Sequence, residues 1–383
     1  MNRAILLVAS CAAIVGISYG MHSPIVPVFA RDRLAADYSQ VGLIGTVNYL
    51  PYMFAPFFVG LLLDRLNKSY LLVSGVLVNV FSIFMLSTVQ SIPELLLFRT
   101  LAGAAHAIFW PSSEVFISTN TAPDRRVKSI SAFIAAWILG FMTGPLIGRL
   151  ILDLFDYTIL FQLAAMVMAF GIVPSILLRR YGRPAANKDL EARVGTIQIV
   201  REVAMHPRIS FVVLYYAVTF GVVLSVLPAY MNEASLTSQD IELMFFMFGV
   251  ARFATLMIVP SMSGHKMISL ALAVSATSIA MLLAFAFTSF VSFAVSIALV
   301  GFATSIFYPV TFGIVTKDTP AGKIGAKLGV YNVLFGTGWT TGPIVAGFSS
   351  DAFGSGSPYF GFFIAGIILA GSIAIRRKSY ANT

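Results

Sequence analysis

Glu114 is the carboxylate that stands clearly inside an apolar run of this sequence, four residues after Trp110 and eight after His106. His22 sits in the first such run. A carboxyl group removed from water is disfavoured in its charged form, and imidazole titrates near neutrality without help. Glu114, His22 and His106 are therefore candidates to take up and release a proton. Arg99, Arg149 and Arg252 also lie within apolar runs. For Arg99 the choice is between an internal role and snorkelling to the nearer boundary. Arg252 needs an anionic partner or a water-filled surrounding, and a structural ion pair is its expected role. Covalent and metal chemistry have no such footing. Cys11 is the single cysteine, which rules out an intramolecular disulfide and a cysteine-based metal site. No G-x-S-x-G, no metal-ligand spacing and no phosphate loop between strand and helix occurs, so neither an enzyme nor a cofactor is expected.

A second set of residues has shape rather than reactivity. "GFMTGPLIG" at 140–148 places three glycines and a proline inside a helix-length apolar run, and "GWTTGPIVAG" at 338–347 repeats the device. Small residues four apart let helix backbones approach closely, and proline marks a local break. An offset of 198 aligns Gly140, Thr143, Gly144 and Pro145 with Gly338, Thr341, Gly342 and Pro343. Without a gap it also pairs Gly103, Ala105, Ile108, Phe109, Pro111 and Thr121 with Gly301, Ala303, Ile306, Phe307, Pro309 and Thr319. Ten identities fall within 43 positions, at an offset near half the 383-residue chain. The sequence is read as a duplication, with Gly140, Gly144, Pro145, Gly148, Gly338, Gly342 and Pro343 expected to pack one half against the other.

The elements that carry these residues follow from composition. Hydrophobic residues make up 58% and charged residues 11%, with mean hydropathy +0.88. Soluble domains carry roughly 25% charged residues, so the bilayer is the expected solvent. About 20 apolar residues cross a membrane as a helix. Runs of that length occur at 4–29, 40–62, 69–89, 94–117, 128–152, 158–178, 208–231, 240–260, 267–287, 290–316, 326–349 and 358–376. These twelve are numbered spans 1 to 12. Barrel strands are shorter and alternate in polarity, so helices are expected. The first run is too long for a cleaved signal and lacks a small-residue site before a soluble region.

With the N-terminus placed in the cytoplasm, 20 of the 25 Lys and Arg fall on cytoplasmic segments, and the opposite face keeps only Arg31 and Arg33. The net charge of +9 thus reports topology, with anionic inner-leaflet lipid rather than nucleic acid as the partner. The expected organisation is an N-terminal six-helix bundle (1–180), a cytoplasmic linker (181–207) and a C-terminal six-helix bundle (208–383). In the linker, Leu190, Val194, Ile197 and Val203 suit either a surface-lying amphipathic helix or a solvated tether.

Parallel six-span repeats suit rocking about a midplane site, and over its full length the chain resembles the major facilitator superfamily. The loop "GLLLDRLNKS" resembles the family signature G-x-x-x-D-[RK]-x-G-[RK]-[RK] through Gly60, Asp64, Arg65 and Lys68, with Asn67 and Ser69 departing from it. The resemblance implies a gating latch in which the carboxylate caps a neighbouring helix N-terminus, favoured by that end's partial positive charge. The equivalent "PSMSGHK" keeps Gly264 and Lys266 but has no acid, so the latch should be one-sided. Arg99 and Gly103 match the family's R-x-x-x-G pattern in span 4. Gly144, Pro145 and Gly148 match its antiporter-associated G-P-x-x-G-G core, with Arg149 in place of the last glycine.

The family lines its cavity with spans 1, 4, 7 and 10. This implies substrate contacts at His22, His106, Trp110, Tyr215, Tyr216, Thr219, Thr304 and Tyr308, with Asn48 added from span 2; packing is the alternative for each aromatic. Glu114, His22, His106 and Arg99 are the proton-coupling candidates. The expected protein is an all-α integral membrane transporter of twelve helices in two pseudo-symmetric bundles, similar to the drug/proton antiporter type. It would export a small amphipathic or lipophilic solute by alternating access, driven by the proton gradient. Uptake of a sugar or other metabolite is the alternative, and a non-transporting sensor or scaffold a third reading. A monomer in a prokaryotic plasma membrane, with both termini cytoplasmic, completes the expectation.

Overall fold

The computed structural model describes residues 3–65, 68–122, 125–181, 201, 207–262, 265–315 and 324–375. Side chains at 55–68, 126–127, 260–262, 312, 315, 324–329 and 374–375 lie outside the description. So do the linker residues Leu190, Val194, Ile197 and Val203.

The described residues form helices and no strand. Span 1 comprises α1 (Arg3–His22) and α2 (Val26–Leu34); spans 2 to 5 are α3 (Tyr38–Arg65), α4 (Lys68–Leu86), α5 (Ile92–Asn120) and α6 (Arg126–Leu154). Span 6 is α7 (Tyr157–Phe170), α8 (Ile172–Leu177) and a 3-10 turn, Leu178–Tyr181. Span 7 comprises α9 (Pro207–Ser225) and α10 (Leu227–Glu233). Spans 8 to 12 are α11 (Ser238–Met262), α12 (Lys266–Ala286), α13 (Phe290–Val315), α14 (Ile324–Phe353) and α15 (Ser357–Ile375). Among the described residues nine helical stretches are long and apolar enough to cross a membrane. Met257, Val291 and Phe353 are among the large apolar side chains left exposed, as a lipid solvent permits.

Proline punctuates the repeat. Pro24 and Pro27 break span 1, and Pro228 breaks span 7 at the corresponding place. The break in span 1 is bridged by Ser23 N–H to Tyr19 O (2.9 Å) and Ile25 N–H to His22 O (3.1 Å). Span 7 is bridged by Val226 N–H to Val222 O (2.8 Å). Pro111, Pro145, Pro309 and Pro343 stand inside helices, in two matched pairs. Each removes one backbone donor and favours a bend.

The chain divides into two compact units. One comprises residues 1–36, 47–191 and 237–249; the other comprises 37–46, 192–236 and 250–383. In the first, α1 packs on α6 and α7, and α4 on α5 and α7. The second repeats the plan, with α9 on α14, and α12 on α13 and α15.

The glycine stretches explain the first pairing in each unit, and they correct an expectation. A side-chain carbon at Gly144 would meet the backbone O of Ile17 and the Cα of Gly20, and one at Gly140 the backbone O of Ala13. In the other unit, Gly342 meets the backbone O of Val218, and Gly338 meets Ala217. These four glycines therefore seat span 1 on span 5 and span 7 on span 11, within a half, rather than half against half. Further along the same stripes, Gly148 meets Glu242 of α11, and Pro343 meets Gly42 of α3. Residues four apart advance about 40° beyond a full helical turn, so the stripe rotates from one neighbour to the next.

Candidate functional site

In the first unit a polar and aromatic cluster gathers on α1, α3, α5 and α6. Tyr19 is its centre: its ring lies 4.7 Å from His106 and 5.2 Å from His22, and its hydroxyl donates to Asn48 Oδ1 at 3.3 Å. His106, Trp110 and Glu114 recur every fourth residue on α5 and so share a stripe. His106 stacks on Trp110 at 6.1 Å, and Trp110 Nε1 donates to Glu114 Oε1 at 3.0 Å. Tyr52 closes on His106 at 5.7 Å, and Phe133 and Trp137 of α6 pack on Trp110 at 4.9 and 5.6 Å. Gly103 lets α3 approach, because a side-chain carbon there would strike the backbone O of Asn48.

His22 is fully buried, with Nδ1 2.6 Å from the Ser18 carbonyl. A carbonyl can only accept, so the proton sits on Nδ1 and Nε2 is left as the basic nitrogen. Arg99 is 3% exposed, which excludes snorkelling in this state, and lies close enough to act electrostatically on His22. Its Nε and Nη1 have no hydrogen-bond partner among the described residues. A buried guanidinium with unused donors can receive an anionic or strongly polar group.

The second unit assembles an aromatic patch. Tyr216 stacks on Phe307 at 4.8 Å and meets Phe335 edge-on at 5.6 Å, while Trp339 lies 5.9 Å from Phe220. Tyr308 is 5.8 Å from Phe335 and partly exposed. The Arg252 guanidinium lies 6.0 Å from the Phe220 ring centre. Thr219 and Thr304 donate to carbonyls of their own helices, at Tyr215 (2.8 Å) and Gly301 (3.0 Å).

Tyr215 is placed differently from Tyr216. Its hydroxyl donates to Phe362 O at 3.2 Å and lies 3.2 Å from Ser278 Oγ, so it points at α12 and α15. Consecutive helical residues diverge by about 100°, so the two tyrosines cannot serve one surface. Tyr215→Phe should cost about 1 kcal/mol of stability, a net hydrogen bond's worth, read as a lower midpoint in thermal unfolding of the purified protein.

The side chains of Gly60, Asp64, Arg65 and Lys68 lie outside the described residues, as does Gly264. Lys266 is described: its Nζ donates to Gly313 O at 2.7 Å, near the end of α13, where a cation is favoured by the helix dipole. The expectation that Glu114 alone is a buried carboxylate is corrected by Glu242, which is fully buried on α11. Its position near the start of span 8 hid it, because burial there depends on which helix covers it. Tyr19, Tyr52 and Trp137 were also missed; the spacing Tyr19–His22 was the available signal.

Comparison with known proteins decides the family. The Major Facilitator Superfamily profile matches residues 8–266 and 209–380. The chain belongs to the major facilitator superfamily. The all-helical membrane fold described above is that of the family. The multidrug resistance protein MdtG of Klebsiella pneumoniae (strain 342) is 27% identical over 178 residues, covering 45% of this chain and 42% of MdtG. The match thus spans less than half the length of that relative. An uncharacterized MFS-type transporter of Methanocaldococcus jannaschii is 23% identical over 363 residues, 89% of each chain. Two solved transporters share the fold. The nucleoside transporter NupG has TM-score 0.78 at 15% identity, covering 98% of this chain and 99% of that one. A peptide transporter, POT in complex with sulfate, has TM-score 0.80 at 12% identity, covering 99% and 95%.

Proposed function

We propose that this transporter exports a small amphipathic or lipophilic organic solute by alternating access, in exchange for protons. The observation that carries the reading is the Tyr19–His22–His106–Trp110–Glu114 cluster, where titratable groups abut broad aromatic faces. Aromatic rings bind lipophilic and cationic solutes through area and cation–π attraction. Glu114 shares its hydrogen bond with the same indole that would meet the solute, so proton and solute compete for one side chain. The similarity to the MdtG proteins favours efflux over uptake. His22, Asn48, His106, Trp110, Tyr216 and Tyr308 are the proposed solute contacts, with Arg99 tuning His22. A prokaryotic plasma membrane, cytoplasmic termini, a monomer, anionic lipid at the basic loops and no cofactor beyond the proton gradient complete the proposal.

The test is purified protein in liposomes offered lipophilic aromatic cations and, separately, neutral sugars. An imposed pH gradient should drive flux of the cations and not the sugars. Glu114→Gln should abolish the gradient-driven flux while ligand-induced thermal stabilisation persists. Coupling that survives Glu114→Gln, His22→Gln and His106→Gln together overturns these roles.

A further inference from the structure

Glu242 lies in the second turn of α11 and is fully buried. Neither carboxyl oxygen has a hydrogen-bond partner among the described residues. The group rests in the space left by the missing side chain of Gly148: a carbon built there would meet Glu242 Oε1 and would lie 3.0 Å from the Met21 carbonyl oxygen. Its surroundings therefore include a carbonyl acceptor and, among the described residues, no donor bonded to it. An ionised carboxylate in that place would lose its hydration and gain no compensating hydrogen bond. A neutral carboxyl avoids this penalty.

The charged and titratable groups on the packed elements do not relieve it. On α1 His22 follows Met21 and is engaged with Ser18; on α6 Arg149 follows Gly148, with Asp153 beyond. On α7 Tyr157 donates to Asp32 (2.6 Å) and meets Ser238 (2.8 Å), and on α11 itself Asp240 accepts from Thr237. Among the described residues none of these pairs with Glu242.

Glu242 lies in a segment of α11 that packs within the first unit. Residues 237–249 of α11 belong to the first unit, whereas the helix from Val250 onward belongs to the second. Gln239 Nε2 donates to Leu152 O at 2.9 Å, Phe248 meets Phe141 at 6.4 Å, and a side-chain carbon at Gly249 would press on Met142. Ile241, Met244, Phe245 and Phe248 of the same segment are fully buried, and a charge on Glu242 would oppose that packing.

We propose that Glu242 is a proton-operated latch: its neutral carboxyl lets residues 237–249 pack on α1 and α6, and release of the proton to water frees that segment. The proton leaves the carboxyl oxygen for bulk solvent as the segment separates, and returns before it can repack. One closure of the segment thus carries one proton, in addition to the one exchanged at Glu114 in the transport reading, on which this latch's role in flux rests. Since the packed form binds the extra proton, raising pH favours the separated form, by up to about tenfold per pH unit for a single group.

The experiment uses the full-length protein with Cys11→Ser and Phe245→Cys, because Phe245 is fully buried three residues after Glu242 on the same side of α11. Maleimide labelling is measured without solute across a pH series, each rate divided by that of the same protein unfolded in detergent at that pH. The relative rate should rise with pH. Adding Glu242→Gln, a near-isosteric neutral change, should hold it low and flat; adding Gly148→Ala, which intrudes on Oε1, should raise it at every pH. A rate independent of pH without those changes, a rise that persists in Glu242→Gln, or a rise that vanishes only in His22→Gln overturns the latch. Proton-driven flux together with one of those outcomes leaves the transport reading standing and the latch refuted. The expected labelling pattern without proton-driven flux does the reverse.

Discussion

Gly144→Leu should leave no folded protein, and Gly144→Ala should lower stability by roughly 1–3 kcal/mol, the ordinary cost of overpacking. The obstacle at Gly144 is backbone, namely Ile17 O, the Gly20 Cα and Met21 N, so no rotamer change can relieve it. Either α1 moves away from α6 or the new atoms overlap. Separation would part the faces on which Gly16 meets Trp137 and Gly20 meets Phe141 and Pro145. The proper comparison is Gly361→Ala, where nothing lies within 4 Å. That change should stabilise α15 by up to about 1 kcal/mol through helix propensity alone. Size-exclusion profiles and thermal unfolding of the two alanine variants report the contrast. Equal melting of both would refute the α1–α6 seat, and with it the equivalent reading of Gly342 in the second unit.

Asp351→Ala should shift the protein's conformational balance by about tenfold or more while leaving it folded. At the end of α14, Asp351 accepts the backbone N–H of Tyr38 (3.1 Å) and of Ser39 (2.7 Å), and the Ser39 hydroxyl (2.5 Å). It therefore caps the start of α3 from a helix more than 300 residues away in sequence. Capping contacts stabilise by roughly 0.5–2 kcal/mol, and hydrogen bonds to a charge by about 1.5–3. A loss of 1.4 kcal/mol is a factor of ten in population. Tyr38 also donates to Glu233 at 2.7 Å, and Ser355 to the same carboxylate at 2.7 Å, so the second acid keeps the site partly tied. A cysteine at Ser39 should become markedly more reactive to maleimide in the Asp351→Ala background. Unchanged reactivity would show that the cap does not hold this state together.

The spans were legible because lipid leaves few choices. A run of some twenty apolar residues can satisfy its backbone there only as a helix, and the observed helices fall on the runs between charged breaks. The paired interior prolines were also written in residue types, whereas the breaks at Pro24 and Pro228 emerged only with the structure. What the side chains face was harder to read. Gly140 and Gly148 look alike in one stripe, yet Gly140 meets α1 alone while Gly148 meets Glu242 as well as the Met21 carbonyl, because the stripe turns about the helix as it climbs. Tyr215 and Tyr216 are equivalent as letters and divergent in space.

Composition, apolar runs and the 198-residue repeat were sufficient by themselves to specify an all-helical membrane protein with an internal repeat, since they depend only on solvent and backbone chemistry. Tertiary structure alone decided that the second glycine stripe closes within its own unit, that Asp351 caps α3, and that Glu242 is buried with no hydrogen-bond partner among the described residues. Each of those depends on which neighbour arrives at a given face. Local sequence sets a helix's stripe of residues, while the environment of each residue on it is supplied by chain hundreds of positions away.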